Sequence, residues 1–366
     1  MTREPAVHAT SGVPTVFLGS GPFGIPALEA LASAREVCLV GVVTAPPRPA
    51  GRGGHVRRSP VAERADALGV GPILEPARLR DPAAIEAVRA LRPALLVLAD
   101  YGQIVPPALL ELPSHGALNL HPSLLPRHRG ASPVPATILA GDRQAGVTLM
   151  QMDRGLDTGP IVGQVAVPLD GSETTPVLEA ELADEGARLL LALLADWLAG
   201  RRGARPQPES GATLTRPLRR ADGWLDPGRD AATLERQVRA YQPWPGTWAP
   251  TVAGRLIIWS ARSLILEGPA AGPGGLARTG ASTGVAAGAG SSPGPERGAT
   301  PGDAVPGGAT PGLLVPDGEG LAIVVADGAL RLDEVQLAGG RRMTADALRR
   351  GHPELVGSRL GGPALP

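Results

Sequence analysis

Residues 116–133 read GALNLHPSLLPRHRGASP, and this stretch decides the fold. Residues 117–121 alternate as a short strand does, with Asn119 and His121 on one face and Leu118 and Leu120 on the other. Pro122 cannot donate to a sheet ladder and ends the strand. An amide and an imidazole therefore stand side by side at the carboxyl end of a strand, where open α/β sheets place their active sites. A neutral His accepts a proton near neutral pH and a charged one donates it. An Asn amide donates hydrogen bonds at any working pH. Together they suit a reaction in which an oxyanion develops while a proton moves, although an isolated Asn-x-His pair is more often a satisfied surface or core pair.

A second stretch, GVTLMQMDRGLDTGPIV at residues 146–162, supplies another strand at 147–152 and a tight turn at 153–159. Asp157 sits in that glycine-flanked turn, a place for a carboxylate that orients or charges an imidazole. Its bland reading is an Asx-turn. The two stretches together are far more specific than either pair of residues alone.

Upstream, residues 13–18 form an apolar run bounded by Gly19, hence a buried strand. GSGPFG at 19–24 matches G-x-G-x-x-G and opens a helix near 26–31. That is the dinucleotide fingerprint, yet Pro22 removes a backbone donor from the phosphate loop. The next strand, 37–43, runs into Thr44-Ala45-Pro46 with no acid for a ribose. Both details argue against NAD. The glycine-rich segment RPAGRGGHVRR, 48–58, is either a solvated mobile loop or a nucleic-acid contact, with Arg48, Arg52, Arg57 and Arg58 the candidate phosphate ligands. Helices are expected at 61–68 and 81–91, a buried strand at 94–98, a helix at 133–139, and a strand at 161–167 returning against 147–152. A long amphipathic helix covers 176–198, with Arg201 and Arg202 favourable at its C-terminus.

RGARPQPESGAT, 202–213, has the composition of a linker. Beyond it the pattern changes: a helix at 231–240, then alternating strands such as 255–266, 322–325 and 329–335, as in a small β-barrel. Between 268 and 312 the sequence is largely Gly, Ala, Pro, Ser and Thr. It cannot bury a core and is expected to be disordered.

The 366 residues allow two full-sized domains, and the net charge of zero gives no global basic field. All 35 basic residues are Arg, which together with 50 Gly and 40 Pro points to genome composition more than to function. Cys38 is the only cysteine, so disulfide frameworks and cysteine metal sites are excluded. Residues 1–12 lack an apolar signal core and read as a disordered leader, and no apolar run is long enough to span a membrane. A cytoplasmic enzyme is expected.

NLHPSLLPRHRGASP followed by GVTLMQMDRGLDTGPIV closely resembles the folate-dependent formyltransferases. VFLGSGPFGIPALEAL, PPRPAGRGGHVRRSPV and LERQVRAYQPWPGTWA agree with that family in order and spacing. The resemblance covers nearly the whole chain apart from the leader and the late insertion. It implies an α/β fold: a Rossmann-like formyltransferase domain at 13–205, a linker at 206–215, and an OB-like β-barrel domain at 216–360 that carries the 268–312 insertion. It further implies transfer of a formyl group from 10-formyltetrahydrofolate to the amino group of initiator methionyl-tRNA, by a monomer and without a metal. Asn119 and protonated His121 would donate to the formyl oxygen, while Asp157 would hold the imidazolium and help relay the proton. Ser123, Leu124, Leu125 and Pro126 resemble the folate-contacting segment, ADYGQIVP at 99–106 resembles part of the pocket wall, and the 48–58 loop resembles the one that meets the acceptor end. The family often carries Lys after GRG, where Gly54 to Arg58 stand here, so the individual contacts stay open. Arg127 and Arg129 either face the tRNA end or brace the loop.

Two rival readings remain. One keeps the folate chemistry with a small-molecule amine as acceptor, or hydrolyses formyl-folate; the basic loop and the barrel domain argue against it. The other is a non-catalytic RNA-binding protein with a degenerate folate site, against which all three catalytic side chains are present with their turns.

Overall fold

The computed structural model describes residues 12–50, 55–265 and 310–363. Residues 1–11 of the leader, Arg52 and most of the 268–312 insertion lie outside the described residues. The chain forms two compact units, Met1–Asp222 with Arg239–Pro245, and Gly223–Val238 with Gly246–Pro366.

The first unit opens with β1 (Val13–Leu18), α1 (Ile25–Ser33) and β2 (Val37–Val43). In its described part the basic segment carries two short antiparallel strands, β3 (Arg48–Ala50) against β4 (His55–Arg57), while its glycines lie outside the described residues. There follow α2 (Pro60–Ala67), β5 (Ile73–Leu74), α3 (Pro82–Ala90), β6 (Leu95–Ala99), α4 (Pro107–Leu110) and β7 (Ala117–His121). The chain continues through β8 (Arg129–Gly130), α5 (Pro133–Ala140), β9 (Gln144–Gln151), β10 (Ile161–Pro168), α6 (Thr175–Leu198) and β11 (Leu214–Thr215).

Seven strands make one sheet in the order β10-β9-β7-β6-β1-β2-β5. The run β7-β6-β1-β2-β5 is parallel, and β9 and β10 add an antiparallel edge. β6 is buried at every position, the mark of a parallel strand covered on both faces. On one face the buried Leu178, Leu182, Leu190 and Leu194 of α6 pack with Leu118, Leu120 and Val147. Val16, Leu18, Leu96 and Leu98 face a separate cluster with Leu79, Val88 and Leu109. Pro122 ends β7 as its missing N–H requires, which leaves Asn119 and His121 at the sheet's carboxyl edge.

The stretch with linker composition is packed. Arg205 and Ile161 exchange backbone hydrogen bonds of 2.9 and 2.7 Å, and β11 pairs in parallel with β8. The compact first unit runs on to Asp222.

In the second unit, α7 (Ala231–Ala240) supplies Ala231, Leu234 and Val238 to a core of its own. Its strands are β12 (Thr247–Thr251), β13 (Gly254–Ile265), β14 (Leu314–Asp317), β15 (Gly320–Val325), β16 (Gly328–Leu337) and β17 (Met343–Thr344), followed by α8 (Ala345–Gly351). They form an antiparallel sheet in the order β12-β13-β16-β15-β14, with β17 on β16. The expected strands fall on β13, β15 and β16. Gly312 donates to Val324 and accepts from Leu360, both at 2.8 Å, so hydrogen-bonded structure begins before the insertion's expected end. Among the described residues no helix is long and apolar enough to cross a membrane.

Candidate active site

A cavity of about 640 Å³ opens at the carboxyl edge of the sheet of the first unit, lined by Asn119, His121 and Asp157 among others. Asn119 is the one position of β7 that is not buried, and its amide is at the cavity wall. His121 is 5% exposed. Its Nε2–H donates to the carbonyl of His128 at 3.0 Å, and Nδ1 faces Asp157 Oδ2 at 3.6 Å. Nε2 is thus hydrogen-bonded, whereas the 3.6 Å approach of Asp157 at Nδ1 is longer than a hydrogen bond.

Asp157 has φ 52°, a left-handed conformation that non-glycine residues adopt only when their surroundings fix it. Its Oδ2 accepts from the Gly130 backbone N–H at 2.8 Å. Gly130 has φ 105°, and a Cβ there would lie 2.3 Å from the Thr215 carbonyl, so only glycine presents that N–H. Earlier in the turn, Asp153 accepts from Gly155 N–H at 2.9 Å and from the Thr158 hydroxyl at 2.8 Å. The Asx-turn that the sequence allows for this loop is made by Asp153, which leaves the Asp157 carboxylate to face the histidine.

Two further acids line the cavity. Asp100 follows β6 with φ 54°, and a Cβ at Gly21 would fall 1.7 Å from its Oδ2. The Asp100 side chain is open to the cavity, yet the surrounding protein removes enough bulk water to raise its pKa. Burial, and then the charge of Asp100, raises the pKa of Glu179 on α6. Beside them, burial pushes the Tyr101 phenol up to about 12, and its hydroxyl has no hydrogen-bond partner among the described residues. Sequence reasoning placed Asp100 only within the ADYGQIVP segment of the pocket wall, without singling it out, and missed Glu179. An Asp closing the apolar run LLVLA was a usable signal for Asp100, whereas Glu179 has none in its helix pattern.

Ser123, Leu124, Leu125 and Pro126 do not reach the cavity. Ser123 is 1% exposed and its hydroxyl donates to the Arg127 carbonyl at 2.7 Å. Leu125 is buried with Met150 and Ile161. The segment is an internal turn, since Thr148 accepts from Leu125 N–H at 3.1 Å and donates to the Ser123 carbonyl at 2.6 Å. The apolar wall comes instead from Phe23, Leu98, Tyr101, Ile104, Met152 and Leu156. That wall, the orphan phenol and the Asn119 amide fit a flat heteroaromatic group with polar substituents.

A second cavity, about 580 Å³, is lined by Arg48, Arg57, Arg58, Ser20 and Gly21, and it shares Asp100, Gly102 and Gln103 with the first. Arg48 and Arg57 are exposed and stand opposite each other across β3 and β4. Arg58 is engaged by Glu75 at 3.0 Å and by Asp66. Arg127 pairs with Asp142 at 2.6 Å on the surface, whereas Arg129 is 5% exposed and belongs to the interior.

Residues 15–194 match the model of the family described as formyl transferase, and residues 217–353 match that of the formyl transferase C-terminal domain. A methionyl-tRNA formyltransferase of Gluconobacter oxydans (strain 621H) is 39% identical over 94% of this chain and 99% of its own length. One from Acidiphilium cryptum (strain JF-5) is 40% identical, again over 94% of this chain and 99% of its own. Among solved structures, HypX from Aquifex aeolicus in complex with tetrahydrofolic acid superposes with a TM-score of 0.55 at 16% identity, over 94% of this chain. The chain spans about half of HypX, 48% of its length, and at that identity the likeness concerns the fold alone.

Proposed function

The chain belongs to the formyl transferase family, and from that premise we infer that it transfers the formyl group of 10-formyltetrahydrofolate to the amino group of methionyl-tRNA. The observation that carries this reading is the match to methionyl-tRNA formyltransferases over 94% of the chain, through both units. Formyl-folate supplies an activated one-carbon group when bound, and the wall of Phe23, Tyr101, Ile104, Met152 and Leu156 would hold it.

Formyl transfer makes one C–N bond and breaks another, and the proton lost by the attacking amine ends on the departing nitrogen. Asn119 is the donor already in place for the negative charge on the formyl oxygen, and a preorganised donor of this kind is worth about 3 kcal/mol. His121 is held by the His128 carbonyl at Nε2, while the 3.6 Å gap to Asp157 leaves its Nδ1–H edge free to turn to the same oxygen. Asp157 keeps the imidazolium aligned and helps pass on the proton. Arg48 and Arg57 meet acceptor-end phosphates at the second cavity, and the amine reaches the first cavity past the residues the two share. The enzyme acts on initiator tRNA, in the cytoplasm and as a monomer.

The test offers purified protein formyl-folate together with charged initiator tRNA or with small amines such as amino sugars. Formylation of the charged tRNA alone is expected. Transfer to the small amines alone would replace the acceptor in this reading.

A further inference from the structure

We propose that Gln207 is a positioning residue that sets the Asp157 loop for catalysis. Its composition marks the surrounding segment as a linker, yet Gln207 is 9% exposed. Its side-chain NH₂ donates to the Asp157 carbonyl at 2.8 Å and to the Gly159 carbonyl at 2.7 Å. Its Oε1 accepts from Arg129 Nε at 3.0 Å. A guanidinium is a donor only, so Arg129 fixes which way the amide points: oxygen towards Arg129, nitrogen towards the two carbonyls.

Arg129 depends on the same contact. Among the described residues its Nη2 has no partner, and Nη1 comes only within 3.7 Å of the exposed Glu209. The residue after it, Gly130, donates to the Asp157 carboxylate. β11 pairs with both Arg129 and Gly130, and Thr215 donates to the Arg129 carbonyl at 3.0 Å. The strap that contains Gln207 therefore holds Asp157 from two sides, its backbone through Gln207 and its carboxylate through Gly130. Two hydrogen bonds from one amide across the turn also account for the left-handed backbone of Asp157. A misplacement of about 1 Å at a reacting group costs on the order of 100-fold in rate. Gln207 acts through Asp157 and touches no substrate.

The proposal rests on the assignment of Asp157 above, and its test separates the two. Gln207→Leu and Gln207→Glu are compared with the parent protein and with Asp157→Ala in formylation of charged initiator tRNA. Gln207→Glu keeps an acceptor for Arg129, now charged, and replaces the two donors to the loop carbonyls by an oxygen that cannot donate, so it serves if Gln207→Leu folds poorly. Each is expected to lower kcat about 10- to 100-fold, to leave both KM values unchanged, and to speed hydrogen exchange at the Gly130 amide. In the Asp157→Ala background the same change should cost nothing further in kcat, whereas a general loss of stability would still add. Full kcat in both Gln207 variants, or an additive loss in the Asp157→Ala background, overturns the proposal. A parent protein that does not formylate, or an active Asp157→Ala, overturns the underlying reading instead.

Discussion

Asn119, His121 and Asp157 carry different loads at the residue scale. In the proposed mechanism Asn119 is the preformed donor, so Asn119→Ala should lower kcat by about 100- to 1000-fold, with the thermal midpoint nearly unchanged. His121 and Asp157 face each other at 3.6 Å and should act as a unit. The double change His121→Ala with Asp157→Ala should then cost far less than the product of the singles, which steady-state kinetics will read. Asp100 and Glu179 give a prediction of another kind, since burial raises both pKa values. The folded state holds protons that the unfolded chain releases. Stability from these groups is therefore complete below the unfolded carboxylate range and is lost as pH rises through the folded values. Glu179→Gln removes that penalty. Melting curves should show a higher midpoint than the parent at neutral pH and little difference once the pH falls below the unfolded carboxylate range.

Among the elements, β7 and its proline stop were legible because period-2 alternation and a missing N–H are properties of the residues themselves. α6 was legible for the same reason, and its observed start at Thr175 differs from the expected one by a single residue. Its stripe also fixes a stability prediction: Leu190 is fully buried, so Leu190→Ala should cost about 3 kcal/mol in denaturant unfolding. The strap at 205–215 was not legible. Gln207 is anchored by backbone carbonyls of Asp157 and Gly159, and carbonyls leave no mark on composition. That Ser123 to Pro126 do not line the cavity was hidden for a related reason, because Leu125 is drawn inward by Met150 and Ile161, whose side chains lie on strands elsewhere in the chain. Proximity to a catalytic motif in sequence did not put the segment on the cavity wall.

For the whole molecule, the change of pattern beyond the 202–213 segment announced a second unit, and the three strands expected there fall on β13, β15 and β16, whereas β12, β14 and β17 were not foreseen. The sharing of Asp100 by the two cavities was hidden, since the lining residues come from separate stretches of chain scattered between Ser20 and Pro217. Arg48 and Arg57 line only the second of these. Arg48→Ala with Arg57→Ala should raise the KM for charged tRNA and leave that for formyl-folate unchanged. Each lost phosphate contact should also flatten the log–log salt dependence by about 0.7 to 0.9. The most direct measurement is single-turnover formylation of charged initiator tRNA at saturating formyl-folate, with the parent protein and Asn119→Ala side by side. The parent should transfer the formyl group rapidly and the variant at about one-hundredth of that rate or less. Equal rates in the two would place the chemistry away from this cavity.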